Sequence, residues 1–261
     1  MSVAALHDQL VAAIARHAGL AVAVSGGVDS MTLATFAHRL AAAPVAMIHA
    51  VSPAVPPAAT QRVQARAAVD GWALTITGAG EFDDPRYRNN PVDRCYFCKT
   101  NLYDRIRALS SHPIASGANL DDLGDYRPGL LAASERAVVH PYIEAGMDKA
   151  AVRTLARALG ADDVAELPAQ PCLASRVETG IAIDASDLAF VDRVETALAH
   201  ALPAAATVRC RITHAGVAIE IGNDIAQSDI LADMAARFCR DDGRVFVGVR
   251  RYRRGAMFVR T

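Results

Sequence analysis

An α/β fold is predicted: a doubly wound, mostly parallel sheet followed by a small C-terminal α+β domain. Three features predict it. Short apolar runs alternate with stretches of helical spacing from residue 3 to about residue 160. The first such run, Leu20–Val24, hands over directly to Ser25-Gly26-Gly27 and a helical stretch. That rhythm breaks around Pro168 and Pro171, and a strand pair of alternating pattern follows from Thr207.

In order, Val3–His17 carries Leu6, Leu10 and Ile14 at helical spacing, and Leu20–Val24 reads as a buried strand. A helix over Ser30–Ala42, a strand over Pro44–Val51, a helix over Ala58–Asp70 and a strand over Ala73–Thr77 complete parallel β-α-β units. Gly80–Arg94 is rich in Asp, Asn, Pro and Arg and is expected to be a loop. Cys95–Leu109 is helical, Ile114–Gly117 is another strand end, and Asn119–Gly129 is acidic and turn-rich. Asp148 caps a helix that Gly160 stops. Glu166–Thr179 is irregular and holds the boundary, giving domains of 1–168 and 169–261. The second contains a helix from Asp184 to Leu202, strands over Thr207–Ile212 and Val217–Ile221, a helix over Asp224–Arg240 and a strand over Val245–Val249.

The 261 residues suffice for one large domain or a standard domain plus a small one. Apolar residues make up 52% and charged residues 21%, so a filled core is expected, although abundant alanine adds little buried area. With 27 basic and 28 acidic residues the formal net charge is -1, which argues against capture of nucleic acid by charge alone. The N-terminus lacks a signal-peptide pattern and no apolar run approaches the roughly 20 residues that span a bilayer, so a cytoplasmic protein with no membrane partner is expected. Five cysteines form an odd set, and in a reducing compartment the close pair Cys95/Cys98 points to metal or redox chemistry rather than a structural disulfide.

A strand, a Ser-Gly-Gly turn and a helix start make an anion site, because glycine admits close approach and the helix N-terminus is partly positive. Ser25 and Ser30 add hydroxyls. Asp29 beside phosphates implies a bridging Mg²⁺. No Gly-x-x-x-x-Gly-Lys-Ser/Thr string occurs, which excludes the usual kinase or GTPase loop. The full string Ser25-Gly26-Gly27-Val28-Asp29-Ser30 resembles the PP-loop of N-type ATP pyrophosphatases. That resemblance implies a Rossmann-like domain that splits ATP into AMP and pyrophosphate.

Pro171-Cys172-Leu173-Ala174-Ser175-Arg176 places a thiol in the irregular boundary segment with Arg176 close by, a setting that favours the thiolate a sulfur nucleophile needs. With the PP-loop upstream, this string is similar to LarE, a family of ATP-dependent sulfur transferases. Three further stretches carry the same likeness: Gly117 to Gly129, Arg94-Cys95-Tyr96-Phe97-Cys98-Lys99, and Val208-Arg209-Cys210-Arg211 with Glu220 downstream. The likeness runs from about residue 20 to near the C-terminus.

The resemblance implies adenylation of a pyridinium carboxylate mononucleotide, a small-molecule nucleotide substrate, followed by attack of cysteine-borne sulfur on the route to the nickel-pincer nucleotide. Cys172 and Arg176 would be catalytic. Gly26, Gly27, Gly117, Asp125 and Arg127 would join Ser25, Asp29 and Ser30 around ATP. Lys99, Arg209, Arg211, Glu220 and Arg253 would serve the substrate phosphate, and a homo-oligomer is implied. In the sacrificial route Cys172 loses its own sulfur and becomes dehydroalanine. In three-cysteine variants of the family, Cys95, Cys98 and Cys172 hold a [4Fe-4S] cluster with one iron open to an extra sulfide. The cysteine pair also fits zinc, a redox disulfide or idle packing.

Other readings stand beside these. Lys99 is also an ordinary surface lysine. Arg209 and Arg211, two residues apart on one strand face, also fit an exposed cross-strand salt bridge. Arg250-Arg251-Tyr252-Arg253-Arg254 is a short basic run suited to a strand end in water. Cys210 points to the opposite strand face and reads as core; Cys239 has no evident partner. Val177-Glu178-Thr179-Gly180 departs from the family's apolar-Pro-Tyr-Gly and sets a carboxylate beside the sulfur donor. Ser52 to Pro57 is richer in proline than the family pattern. Three rival functions are a tRNA-thiolating PP-loop enzyme, an amide-forming ligase, and a non-enzymatic adenylate-sensing module.

Overall fold

Helix α1 (Val3–Ile14) starts where the Ser2 hydroxyl accepts the Ala5 N–H at 3.2 Å, and it buries Leu6, Leu10, Ala13 and Ile14. The computed structural model describes residues 2–124, 127–202, 207–222, 228–253, 255 and 257. After α1 come β1 (Leu20–Ala23), α2 (Val28–Leu40), β2 (Val45–Val51), α3 (Pro57–Asp70) and β3 (Leu74–Gly78). Then follow α4 (Pro85–Arg88), α5 (Arg94–Leu109), β4 (Ile114–Ala115), α6 (Pro128–Glu135), α7 (Pro141–Glu144), α8 (Lys149–Ala158) and α9 (Asp162–Ala165). The remainder is α10 (Ala185–His200), β5 (Val208–Thr213), β6 (Gly216–Ile221), α11 (Ser228–Asp241) and β7 (Phe246–Arg251).

The chain divides into two units, Met1–Asp84 with Cys95–Gln170, and Pro85–Arg94 with Pro171–Thr261. In the first, a four-stranded sheet has the order β3-β2-β1-β4. All its pairings are parallel, with Leu20 opposite Val45, Ala21 opposite Ile114 and Met47 opposite Leu74. Alternation along the strands splits the core. Leu20, Val22, Met47 and Ala115 pack with Leu10, Phe36, Val63, Tyr142 and Leu155, from α1, α2, α3, α7 and α8. Ala21, Ile48 and Ile114 pack on the other face with Tyr103, Ile106 and Ala133, from α5 and α6. Helices on both faces of a parallel sheet make the fold α/β and doubly wound. The chain runs outward from β1 through β2 to β3 and returns to β1's other side as β4. That reversal puts the topological switch point, where such sheets bind ligands, between the carboxyl ends of β1 and β4.

The second unit is a small α+β domain with sheet order β5-β6-β7. Strands β5 and β6 form an antiparallel hairpin, and β7 lies parallel to β6 because α11 carries the chain back across. Helix α10 packs on β5, burying Leu188, Phe190, Val191, Val194 and Leu198; its cap Asp184 accepts the Ser186 N–H at 2.8 Å. Residues 85–94, expected in the nucleotide domain's loop, belong to this unit. Asn90, at φ 52, donates from Nδ2 to the carbonyls of Glu178 and Ile181, accepts from Arg94 at 2.5 Å, and its own carbonyl receives the Gly180 N–H.

Four short helices, α4, α6, α7 and α9, were not legible as periodic segments, and α4 falls in the stretch Gly80–Arg94 expected to be a loop. Four to eight residues show little period, and α6 and α7 open on Pro128 and Pro141, a start signal that the turn-like composition concealed. The prolines at 56 and 57 have a local reason: Pro56 precedes α3 and Pro57 opens it. The expected helix start at Asp224 lies outside the described residues. Among the described residues, no helix is long and apolar enough to cross a membrane.

Candidate functional site

At the carboxyl end of β1 the chain turns through Ser25, Gly26 and Gly27 into α2. Gly26 has φ +81, and a Cβ there would lie 2.7 Å from the Ala59 carbonyl oxygen, so only glycine fits. Ser30, buried, closes the loop: its hydroxyl accepts the Ser25 N–H at 3.0 Å and lies 3.2 Å from the Gly27 carbonyl. Ser25 is exposed, with its hydroxyl 3.0 Å from that of Ser30. Ser30 therefore shapes the loop from behind, whereas Ser25 is open to a ligand.

Asp29, in the first turn of α2, faces a cation already present in the protein. Lys149 Nζ lies 2.5 Å from its carboxylate, and Asn119 Nδ2 lies 3.3 Å from it. Tyr142, fully buried, donates to the Asp29 carbonyl at 3.1 Å; burial pushes its phenol well above the usual range, with the Asp29 charge adding to the effect. Gly117 is where the α2 N-terminus and the turn after β4 touch, since a Cβ there would be 2.9 Å from Asp29 C and Ser30 N. Arg127 pairs with Asp122 at 2.9 Å. Asp125 lies outside the described residues.

Four residues around this loop were missed from sequence. Lys149 is one, and a signal existed: it is the first residue of α8, where the macrodipole disfavours a cation unless a carboxylate faces it. Asn119 lay within the quoted Gly117–Gly129 string without a role. Arg62 reaches from α3 to the Gly26 carbonyl at 2.6 Å, and burial lowers its pKa. His49, wholly buried on β2, donates from Nδ1 to the Val24 carbonyl at 2.8 Å and accepts the Thr60 hydroxyl on Nε2 at 2.9 Å. Burial pushes this imidazole down, towards the neutral form.

In α5, Cys95 and Cys98 stand one helical turn apart and half-buried. Their i, i+3 spacing turns both thiols to one side, as a metal or cluster requires of a ligand pair. Lys99 Nζ lies 5.8 Å from the Tyr103 ring centroid, and its stem packs on Gly129. Glu81, buried, bonds to the Ser52 side chain; burial raises its pKa, against the opposing pull of the Lys99 charge. Among the described residues, no three His, Cys, Asp or Glu side chains within either unit group as a metal site.

The second unit presents a thiol on a clamped loop. Cys172 is exposed at the start of a 3-10 turn, Leu173–Arg176, in which Leu173, Ala174 and Arg176 are buried. Arg176, only 3% exposed, donates to Glu195 through Nε at 2.9 Å and Nη2 at 2.8 Å. Its Nη1 gathers the carbonyls of Pro171 at 2.5 Å and Cys172 at 3.1 Å and the Ser175 hydroxyl at 3.1 Å. The guanidinium thus holds the backbone on both sides of the thiol, a positioning role, and Glu195 on α10 anchors it. Glu195 also accepts the Cys210 N–H at 2.9 Å. Nothing in the sequence linked Glu195 to Arg176, because the partners lie on different elements.

Arg211 and Glu220 form a second buried pair at 2.7 Å, and Arg211 also donates to the Ser175 carbonyl at 3.0 Å. The alternative of an exposed salt bridge does not describe it, because both side chains are buried. Arg250 meets the other Glu220 oxygen at 3.1 Å. Arg209 and Arg211 lie 6.0 and 5.8 Å from the Tyr252 ring centroid, so they share one strand face. Burial lowers the Arg209 pKa, and the charge of Arg176 lowers it further. A half-buried guanidinium beside two others is stabilised by an anion. Arg253 is exposed, and Arg254 lies outside the described residues. Cys210, on the opposite face, is fully buried, and its thiol is pushed well up. Glu178, expected beside the sulfur donor, instead accepts the His214 N–H of the β5–β6 hairpin at 3.2 Å.

The first unit therefore has a glycine loop at the switch point of a Rossmann-like PP-loop fold, and the second an exposed thiol among arginines. No family model matches the chain. Over 178 residues it is 39% identical to an uncharacterized protein of Synechocystis sp., covering 67% of this chain and 66% of that protein. It is 30% identical over 156 residues to the pyridinium-3,5-bisthiocarboxylic acid mononucleotide synthase of Lactiplantibacillus plantarum, covering 58% of this chain and 56% of the synthase. An uncharacterized protein of Methanocaldococcus jannaschii is 27% identical over 142 residues, with 53% and 54% covered. The matched stretches thus span from just over half to just under two thirds of these relatives' lengths.

Proposed function

We propose that this chain is an ATP-dependent sulfur transferase that adenylates a substrate carboxylate and delivers sulfur to it through Cys172. The observation that carries this reading is the exposed Cys172 thiol on a loop fixed by the buried Arg176–Glu195 pair. The glycine loop and the distant similarity to a synthase whose product is a bisthiocarboxylic acid support it.

In this reading a carboxylate oxygen attacks the α-phosphorus of ATP. The bond from that phosphorus to the bridging oxygen breaks, and pyrophosphate leaves. The N-terminus of α2 and Ser25 hold the phosphates, and Lys149 offsets their charge. Asp29 would hold Mg²⁺ arriving with ATP, with Lys149 transferred to a phosphate oxygen. The Cys172 thiolate then attacks the acyl carbon and displaces AMP, forming a thioester. Loss of the Cys172 α-proton and cleavage of its Cβ–S bond leave dehydroalanine in the protein and a thiocarboxylate on the substrate. Arg209, with Lys99 and Arg253, would hold the substrate phosphate, and Arg211, already bonded to Glu220 and the Ser175 carbonyl, would add its remaining charge. Cys95, Cys98 and Cys172 would be the ligands of a [4Fe-4S] cluster, which when bound would supply sulfide and spare the Cys172 sulfur.

Intact-protein mass after incubation with MgATP and pyridinium biscarboxylate mononucleotide tests the proposal. Loss of one H₂S located at Cys172 is expected from the sacrificial route. An unchanged mass with thiolated product, from brown anaerobic protein containing iron and sulfide, is expected from the cluster route. Pyrophosphate release with neither sulfur loss nor thiolated product would contradict both.

A further inference from the structure

The turn after β4 packs on the first turn of α2, and one side-chain hydrogen bond outside the proposed chemistry ties it down. Ser116 Oγ and His140 Nδ1 are 2.8 Å apart. Ser116 follows β4, and His140 follows Val139, which forms an isolated bridge at the same edge of the sheet. Ala115 bridges Val139 in parallel, and the Ser116 N–H donates to the Val139 carbonyl at 3.1 Å. From there the chain reaches α2 twice within three residues: Gly117 packs on the backbone of Asp29 and Ser30, and Asn119 bonds to the Asp29 carboxylate. The Ala118 N–H points at Ser116 Oγ from 3.5 Å. When Nδ1 carries no proton, Ser116 Oγ acts as donor to the imidazole and acceptor from the turn. That arrangement needs an unprotonated Nδ1.

We propose that the Ser116–His140 pair is a positioning element for the nucleotide, fixing the turn 116–119 against Asp29 at the switch point. The inference rests on the nucleotide reading of the glycine loop. Burial favours the neutral imidazole, and the charges of Glu144 and Asp122 oppose that. Both carboxylates are themselves paired, Glu144 with Arg16 and Asp122 with Arg127. Protonation of Nδ1 replaces the acceptor by a donor. The Ser116 proton must then turn away, with Oγ accepting from both Nδ1 and the Ala118 N–H, so the tether is rearranged.

The test is titration of the full chain with MgATP for wild type, Ser116→Ala, His140→Ala and the double variant, across the range around the ordinary imidazole pKa of about 6.5. Each single variant is expected to raise Kd about two- to tenfold, the worth of one hydrogen bond. The double variant should be no worse than either single, because both remove the same bond. Wild-type affinity should weaken on the acid side, and Ser116→Ala should lose that pH dependence. Circular dichroism checks folding, and Ser116→Ala, which deletes one hydroxyl, carries the test if His140→Ala does not fold. Unchanged Kd in the folded variants, or losses that add, would overturn the inference while leaving nucleotide binding intact. Wild type that fails to bind MgATP would overturn the nucleotide reading as well.

Discussion

The glycine loop of the first unit and the Cys172 loop of the second are both short segments leading into a helical turn, yet they are held by different forces. The first is set by backbone geometry: a glycine at positive φ against Ala59, and a buried serine hydroxyl closing the turn. The second is set by charge: Arg176 clamped by Glu195, and Arg211 clamped by Glu220. A geometric loop fails when an atom is added, and an electrostatic one when a partner is removed. The first also leaves the Ser25 side chain exposed beside the N-terminus of α2. The second spends its charge on carbonyls to fix one sulfur atom.

The largest effect is expected at the charged loop. Glu195→Ala strands the buried Arg176 and should cost about 3–5 kcal/mol in denaturant unfolding. Recovery in Glu195→Gln of folding but not of thiolated product would show that the charge positions the loop beyond holding the fold. On the geometric side, Gly26→Ala forces a Cβ onto the Ala59 carbonyl at positive φ. About 1–3 kcal/mol of stability is expected to go with it, along with MgATP binding, by calorimetry. If Gly26→Ala binds MgATP normally, the geometric account of that loop fails.

His49 gives the geometric loop a pH dependence of known sign. Its folded pKa lies below the ordinary value, so the folded state holds fewer protons than the unfolded one in the window between the two. The stabilising contribution is complete above about 6.5 and is lost as pH falls towards the depressed value. Melting temperature should therefore drop on acidification through that window. His49→Phe should flatten the slope in part, since His140 titrates with the same sign, and should cost about 1–3 kcal/mol by orphaning the Val24 carbonyl and the Thr60 hydroxyl. Lys149→Met removes the cation proposed to pass from Asp29 to a phosphate oxygen, and about a tenfold loss of MgATP affinity is expected after allowing for its partial exposure. Glu178→Gln should change stability by less than about 0.5 kcal/mol, because its partner is a hairpin N–H at the surface.

What was legible in the sequence follows the same division. The parallel sheet and the glycine loop are local: a buried strand, two glycines and a helix start occupy consecutive residues, and period and turn chemistry suffice to read them. Asp148 as a cap and Asp184 as a helix start are local for the same reason. The clamp on Cys172 is not local. Arg176 meets a carboxylate 19 residues away on another helix, and Arg211 meets one across a strand pair. From sequence, Arg176 therefore looked available to a substrate, while Arg211 fitted either a phosphate contact oriented by Glu220 or an exposed cross-strand salt bridge. Their bonds to Glu195, Glu220 and the loop carbonyls reassign most of that capacity, leaving Arg209 and the exposed Arg253 as the arginines better placed for an anion. Lys149 was hidden differently, as a lone lysine whose partner lies 120 residues earlier. The excursion 85–94 was hidden because membership of a unit depends on long-range bonds such as those of Asn90.

The central claim is that the two loops divide the work, the glycine loop activating the carboxylate and the clamped thiol supplying sulfur. Cys172→Ala, assayed in parallel for pyrophosphate release and for thiolated product with MgATP and the candidate mononucleotide, separates the two halves most directly. Pyrophosphate release that persists without any thiolated product is the predicted result. Thiolated product at the wild-type level from Cys172→Ala, or amide formed at full rate with ammonia, would contradict it.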